Sequence, residues 1–176
     1  MRKAKSLLPG SPPSTAYRID PPKGLTVRDG QLDDLSGIIK IVNSKNNRLS
    51  FGWVQKIVLA DAVKHQNEEG EKSQHRLRVV QDADGRIVAF LRAYHRNDGT
   101  TTLHEIGVAE DKQSAGIGTY LLMELIHASQ KRNMQKIGLK TPVGMRSNDW
   151  YPTFGFKHVG TFEGRKRVLN CYELEL

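Results

Sequence analysis

A chain of 176 residues, 38% hydrophobic and 26% charged, carries enough apolar mass for one domain with a sizeable core and too much for general disorder. No apolar run approaches the ~20 residues of a membrane-spanning helix, and the single cysteine, Cys171, excludes an internal disulfide and fits a reducing cytoplasm. The net charge of +8 favours polyanionic partners, and the six histidines show no tight metal-ligand spacing, so no metal is expected.

Residues 1–24 are rich in Pro, Ser, Lys and Arg and poor in bulky apolar side chains. That composition predicts a disordered basic arm without a signal-peptide apolar core. Arg2, Lys3, Lys5, Arg18 and Lys23 against Asp20 give the arm +4, half of the excess. Such an arm suits nucleic acid or another acidic partner. Residues 25–176 are expected to form one folded domain.

Leu25–Arg28 reads as a strand and Asp29-Gly30 as a turn. Leu32, Leu35, Ile38, Ile39 and Val42 then recur at helical spacing, with Asp33 and Asp34 in the first turn, where the helix dipole favours acid. Asn43–Asn47 ends that helix. Val54, Ile57, Val58 and Ala62 predict a second helix over Phe51–His65, and Gln66–Ser73 reads as a polar loop. Leu77–Val80, Ile87–Tyr94 and Leu103–Ala109 are strand-like. The Asp-Gly turns between them tolerate positive φ, so the three strands form an antiparallel meander.

After a polar turn at Glu110–Lys112, Gln113-Ser-Ala-Gly116-Ile-Gly118 leads straight into a helical pattern with Ile117, Leu121, Leu125 and Ala128 on one face. Lys136–Lys140 reads as the next strand, so strand, helix and strand make a parallel pair with a right-handed crossover. Thr141–Asn148 is a loop or short helix, and Asp149–Phe156 is aromatic and rich in turns. Lys157–Phe162 and Val168–Leu174 form a terminal hairpin around Glu163–Arg167. The fold class is α/β (α+β), a mixed central sheet with flanking helices.

A glycine loop between strand and helix points free backbone N–H groups along a new helix axis, which favours an anion such as phosphate. No Gly-Lys-Ser/Thr follows, so it is not a P-loop, and the third glycine of a dinucleotide fingerprint is missing. Cys171 has no histidine partner suggested by the sequence and reads as a small apolar residue. Arg165-Lys166-Arg167 reads as a solvated hairpin tip that could instead grip an acidic substrate or a ligand phosphate.

Gln113-x-x-Gly116-x-Gly118, following a strand that ends in Val108-Ala109, resembles the acetyl-CoA loop of the GNAT N-acetyltransferase superfamily. Trp150-Tyr151-Pro-Thr-Phe154-Gly155-Phe156, with Asn148 just ahead, resembles a second segment of that superfamily. Trp150, Pro152 and Ala115 depart from its usual residues. The resemblance covers about residues 25–176 and implies a single-domain GNAT fold in which the strands Leu103–Ala109 and Lys136–Lys140 splay apart. It implies acetyl-CoA as cosubstrate, with pantetheine beside Ile106, Gly107 and Val108. Pyrophosphate would rest on the backbone of Gln113, Ser114, Ala115, Gly116, Ile117, Gly118 and Thr119, with Asn148 and Tyr151 completing the cofactor contacts.

The same resemblance implies direct attack by a primary amine of unknown type, and it leaves room for a homodimer. An amine is mostly protonated at neutral pH, so a base assists, and the departing thiolate needs a proton. Glu105 is the candidate base and Tyr151 the candidate acid. His104 should alternate to the opposite strand face. Replacing Glu105 by Gln is expected to spare the fold. The alternative is a non-catalytic module on the same fold that responds to coenzyme A or binds nucleic acid.

Overall fold

The β-branched and aromatic runs of the sequence become strands β1 (Thr26–Asp29), β2 (His75–Gln81), β3 (Ile87–His95), β4 (Thr100–Val108), β5 (Lys136–Pro142), β6 (Lys157–Glu163) and β7 (Val168–Glu175). The computed structural model describes residues 20–51 and 54–176. The expected basic arm, residues 1–24, lies outside the described residues as far as residue 19. Helices are α1 (Leu35–Val42), α2 (Arg48–Phe51), α3 (Lys56–Glu69), α4 (Ile117–Lys131) and α5 (Ser147–Trp150). No described helix is long and apolar enough to cross a membrane.

The strands form one seven-stranded sheet in the order β1-β2-β3-β4-β5-β7-β6. Every neighbouring pair is antiparallel except β4 and β5, which are parallel. This is the mixed sheet, meander and single parallel pair that the sequence implies. One core cluster places Leu121, Leu122, Leu125 and Ile126 of α4 with Val88, Leu91, Ala93 and Ile137. A second places Leu35, Ile38 and Val42 of α1 and Leu59 and Val63 of α3 with Leu77, Val79 and Phe90. Both sheet faces are therefore covered, and burial of these side chains supplies the main driving force.

The second helix departs from expectation. The pattern over Phe51–His65 is divided, with α2 ending at Phe51 and α3 beginning at Lys56. α3 then continues to Glu69, through residues that read as a loop. Gln66 supplies the reason. β1 pairs with β2 only as far as Arg78, so the Leu77 N–H lies beyond its end. The buried Gln66 amide accepts from that N–H (2.7 Å). It also donates to the Leu77 carbonyl (3.3 Å), which takes the Gly30 N–H as well (2.9 Å). A polar side chain here satisfies a strand, which keeps the helix going.

Two irregularities of the sheet open and line its cleft. β4 pairs with β5 only from Thr100 to Leu103. β3 holds β4 as far as Val108, and β7 holds β5 as far as Pro142, so the two parallel strands diverge beyond Leu103. The β3–β4 ladder also slips between Arg92 and Ala93, where Arg92 faces Glu105 and Ala93 faces Leu103. His104 is the extra residue of that bulge. Strict alternation fails there, and His104 and Glu105 both line the cleft.

Candidate active site

The divergence of β4 and β5 opens a cleft of about 440 Å³. Its walls are the end of β4, the end of β5, the loop before α4, α2, and the Trp150–Tyr151 segment. The loop is held open by two left-handed residues, Ser114 (φ 64°) and Gly116 (φ 80°). No side chain caps α4, so its first N–H groups face the cleft. A Cβ built on Gly116 would meet nothing within 4 Å, which leaves room for a ligand against the backbone.

The Gln113 amide is tied back to the rim of that space. It donates to the Val108 carbonyl (3.2 Å) and to Asn47 (3.3 Å), tying the loop to the end of β4. Asn47 itself donates to the carbonyls of Ile41 (3.1 Å) and Val108 (3.0 Å). Gly107 serves a different need. A Cβ there would stand 2.7 Å from the Phe90 ring and 3.3 Å from Phe51, so only glycine lets β4 lie this close to both aromatics.

A family model described as Acetyltransferase (GNAT) family matches residues 47–156. The chain belongs to the GNAT acetyltransferase family. No curated protein matches the sequence. The fold is shared with Ard1 from Thermoplasma volcanium (14% identity, TM-score 0.72, covering 87% of this chain and 98% of that one). It is shared with the PaiA N-acetyltransferase from Thermoplasma acidophilum in complex with coenzyme A (14%, TM-score 0.71, 86% and 99%). It is shared also with the ribosomal-protein-S18-alanine N-acetyltransferase from Escherichia coli (19%, TM-score 0.66, 86% and 93%).

Most of the site residues read from the sequence meet in the GNAT cleft. Glu105, Ile106, Gly107, Val108, Gln113, Ser114, Gly116, Ile117, Gly118, Thr119 and Tyr151 all line it. Ala115 and Asn148 are not among the lining residues. The Asn148 amide is occupied within the fold. It donates to the carbonyls of Pro142 (2.8 Å) and Met145 (2.9 Å) and accepts from Asn170 (2.8 Å) and the Tyr172 hydroxyl (3.2 Å). In this GNAT chain it fastens α5 to the ends of β5 and β7.

Pro152 ends α5 and turns the chain into a 3-10 turn, Tyr151–Phe154. That turn sets the Tyr151 ring against Trp150 (5.1 Å) and Phe156 (5.6 Å). Tyr151 is 6% exposed, and its hydroxyl has no hydrogen-bond partner among the described residues. Burial raises its pKa well above the usual tyrosine value.

Glu105 lies on the cleft wall with both oxygens engaged. Arg92 Nε and an Arg92 terminal nitrogen donate to them at 2.6 and 2.8 Å. Beside it, His104 touches solvent yet sits in a concave, crowded place. That crowding, then Arg92 and His75, push its pKa down to about 4, so it is neutral at neutral pH.

Sequence reasoning missed Arg92, Phe51, Asn47 and the packing of Trp150 over Gly118, where a Cβ would stand 3.6 Å from the indole. Phe51 and Asn47 sit in a helix pattern and a helix break, and neither context signals a ligand. Arg92 on β3 gave a weaker hint, as a lone charge within the apolar run Ile87–Tyr94.

Proposed function

We propose that this GNAT protein transfers an acetyl group from acetyl-CoA to a primary amine by direct attack in a ternary complex. One observation carries the reading. The open edge of β4, the uncapped start of α4 and the unpartnered Tyr151 hydroxyl converge on one cleft. Beyond Leu103 the β5-facing edge of β4 has lost its strand partner, and with the Val108 carbonyl taken by Asn47 and Gln113 it is the edge from Ile106 to the Val108 N–H that suits the amides of a pantetheine arm. The N–H groups opening α4 and the positive end of its dipole suit pyrophosphate. The coenzyme A complex of the Thermoplasma acidophilum neighbour agrees with this use of the fold.

The amine nitrogen attacks the thioester carbonyl, forming the C–N bond, and the C–S bond then breaks. An amine loses its proton in the process, and Glu105 is the group that takes it, through water. Each Glu105 oxygen keeps acceptor capacity after binding Arg92, so a water can hydrogen-bond there. The departing thiolate has a conjugate-acid pKa near ~8.5 and needs a proton in a desolvated cleft. Tyr151 donates it. Burial keeps that phenol protonated at neutral pH, and its hydroxyl has no competing acceptor among the described residues.

The test incubates the protein with acetyl-CoA and a panel of polyamines, peptides with free N-termini and small amines, scored by mass spectrometry and thiol release. Tyr151→Phe should lower turnover by roughly 10²–10⁴-fold while acetyl-CoA affinity is kept. Acetyl-CoA binding with no acetylated amine anywhere in the panel would favour a non-catalytic binding module.

A further inference from the structure

Outside the cleft lining, α3 and β2 bring four chemistry-bearing side chains together. Asp61, His65 and Glu69 recur every fourth residue on one face of α3, and His75 opens β2. The His65 and His75 imidazoles stack with centroids 4.9 Å apart and planes 9° from parallel. Tyr94, the cross-strand partner of His75, meets the His75 ring edge-on from β3 at 4.9 Å. The two elements are locked to each other. Gln66, next to His65, is bonded to both backbone groups of Leu77, two residues from His75.

The hydrogen bonding sets the direction of the His65 lone pair. His65 Nδ1 lies 2.9 Å from a Glu69 oxygen. A carboxylate only accepts, so Nδ1 carries the hydrogen, and Nε2 is the nitrogen left to bind a metal. That nitrogen faces Asp61 Oδ1 at 3.7 Å. A proton on Nε2 or a metal ion beside it each reconciles that contact, and a Zn²⁺ titration separates the two. One nitrogen of His75 completes the set, and the three donor atoms all lie within 4.8 Å of one another. Donors around a tetrahedral ion with bonds of ~2.0–2.1 Å stand ~3.3 Å apart, so closing the shell draws the donors together and turns the two rings out of face-to-face contact, because each lone pair lies in its own ring plane.

We propose that Asp61, His65 and His75 bind a divalent transition-metal ion of the zinc class, with Glu69 as the positioning residue of His65. Two imidazoles and a carboxylate match Zn²⁺, Ni²⁺ or Cu²⁺, whereas Ca²⁺ and Mg²⁺ take oxygen ligands. Asp61 is 59% exposed at its side chain, which leaves a solvent-facing position for water. Glu69 accepting from Nδ1–H is the outer-shell contact that orients a ligating histidine.

Calorimetric titration of Zn²⁺ into the full chain, previously stripped with a chelator, tests the site. One equivalent should bind and raise the melting temperature. His65→Ala and His75→Ala should each abolish that binding, and Asp61→Asn should weaken it at least about tenfold. Glu69→Gln should weaken it ~10–100-fold with the stoichiometry kept. Substituting Co²⁺ should give visible absorption bands that His75→Ala removes. His158→Ala, on β6, should bind as the wild type does. Absence of binding, or equal binding by wild type and a correctly folded His75→Ala variant, overturns the proposal and leaves a stacked imidazole pair only.

Discussion

The pairing of Arg92 with Glu105 predicts a stability effect at the wall of the candidate cleft. The two side chains are 14% and 5% exposed, and the guanidinium donates to both carboxylate oxygens at 2.6 and 2.8 Å. Removing one partner strands the other charge in a place water barely reaches, which costs about 3–5 kcal/mol. Arg92→Leu and Glu105→Leu should each lose that much. The double variant replaces both charges by apolar groups and should return close to wild-type stability. Glu105→Gln keeps one acceptor but turns an NH₂ group toward the guanidinium, so it too should weaken the fold. This differs from the sequence-based expectation that an amide at 105 is silent for folding. Urea unfolding of the four members of the cycle, followed by circular dichroism at neutral pH, measures the coupling. Additive single effects below about 1 kcal/mol would refute the reasoning and show that water screens the pair. The cycle also bears on catalysis. A loss of turnover in Glu105→Gln should be read at a temperature where the variant is shown to be folded.

Gly107→Ala places a methyl carbon 2.7 Å from a fully buried Phe90 ring, so about 1–3 kcal/mol of stability should be lost, with a raised KM for acetyl-CoA. An unchanged melting temperature would mean that the aromatic pair can yield. Burial, with Arg132 and Arg76, pushes His95 down to about 4 from the ordinary 6.5. The unfolded chain therefore takes the extra proton first as pH falls. The contribution of His95 should be complete above pH 6.5 and decline toward pH 4, by roughly 3 kcal/mol, with His104 adding to the same limb. His95→Gln should make that limb shallower in denaturant titrations at pH 7.5 and 5, and an unchanged slope would count against it. Asn148→Ala removes four hydrogen bonds at the α5 junction and should lower stability by about 1–3 kcal/mol. Retention of acetyl-CoA affinity in a folded Asn148→Ala would fit a fastening role, and its loss would fit a cofactor contact.

The strands, the glycine loop and α4 were legible in the sequence because each rests on local physics. Alternation and apolar runs mark strands, Asp-Gly marks tight turns, and 3.6-residue spacing marks a helix wherever one face is buried. The loop Gln113–Gly118 and the Trp150–Phe156 segment also carried the family resemblance, because backbone approach to a ligand constrains residue type locally. Tertiary structure decided the rest. The bulge opposite Arg92 put His104 on the cleft beside Glu105, and no pattern of alternation shows where a ladder will slip. Gln66 extended α3 by satisfying a strand eleven residues away in sequence, a polar demand that exists only once β1 stops short. Arg92 and Glu105 lie thirteen positions apart, and His65 and His75 ten, so their encounters depend on strand register and helix docking. Local propensity is written residue by residue, whereas side-chain pairing across elements follows from which backbone groups and faces the completed sheet leaves unsatisfied.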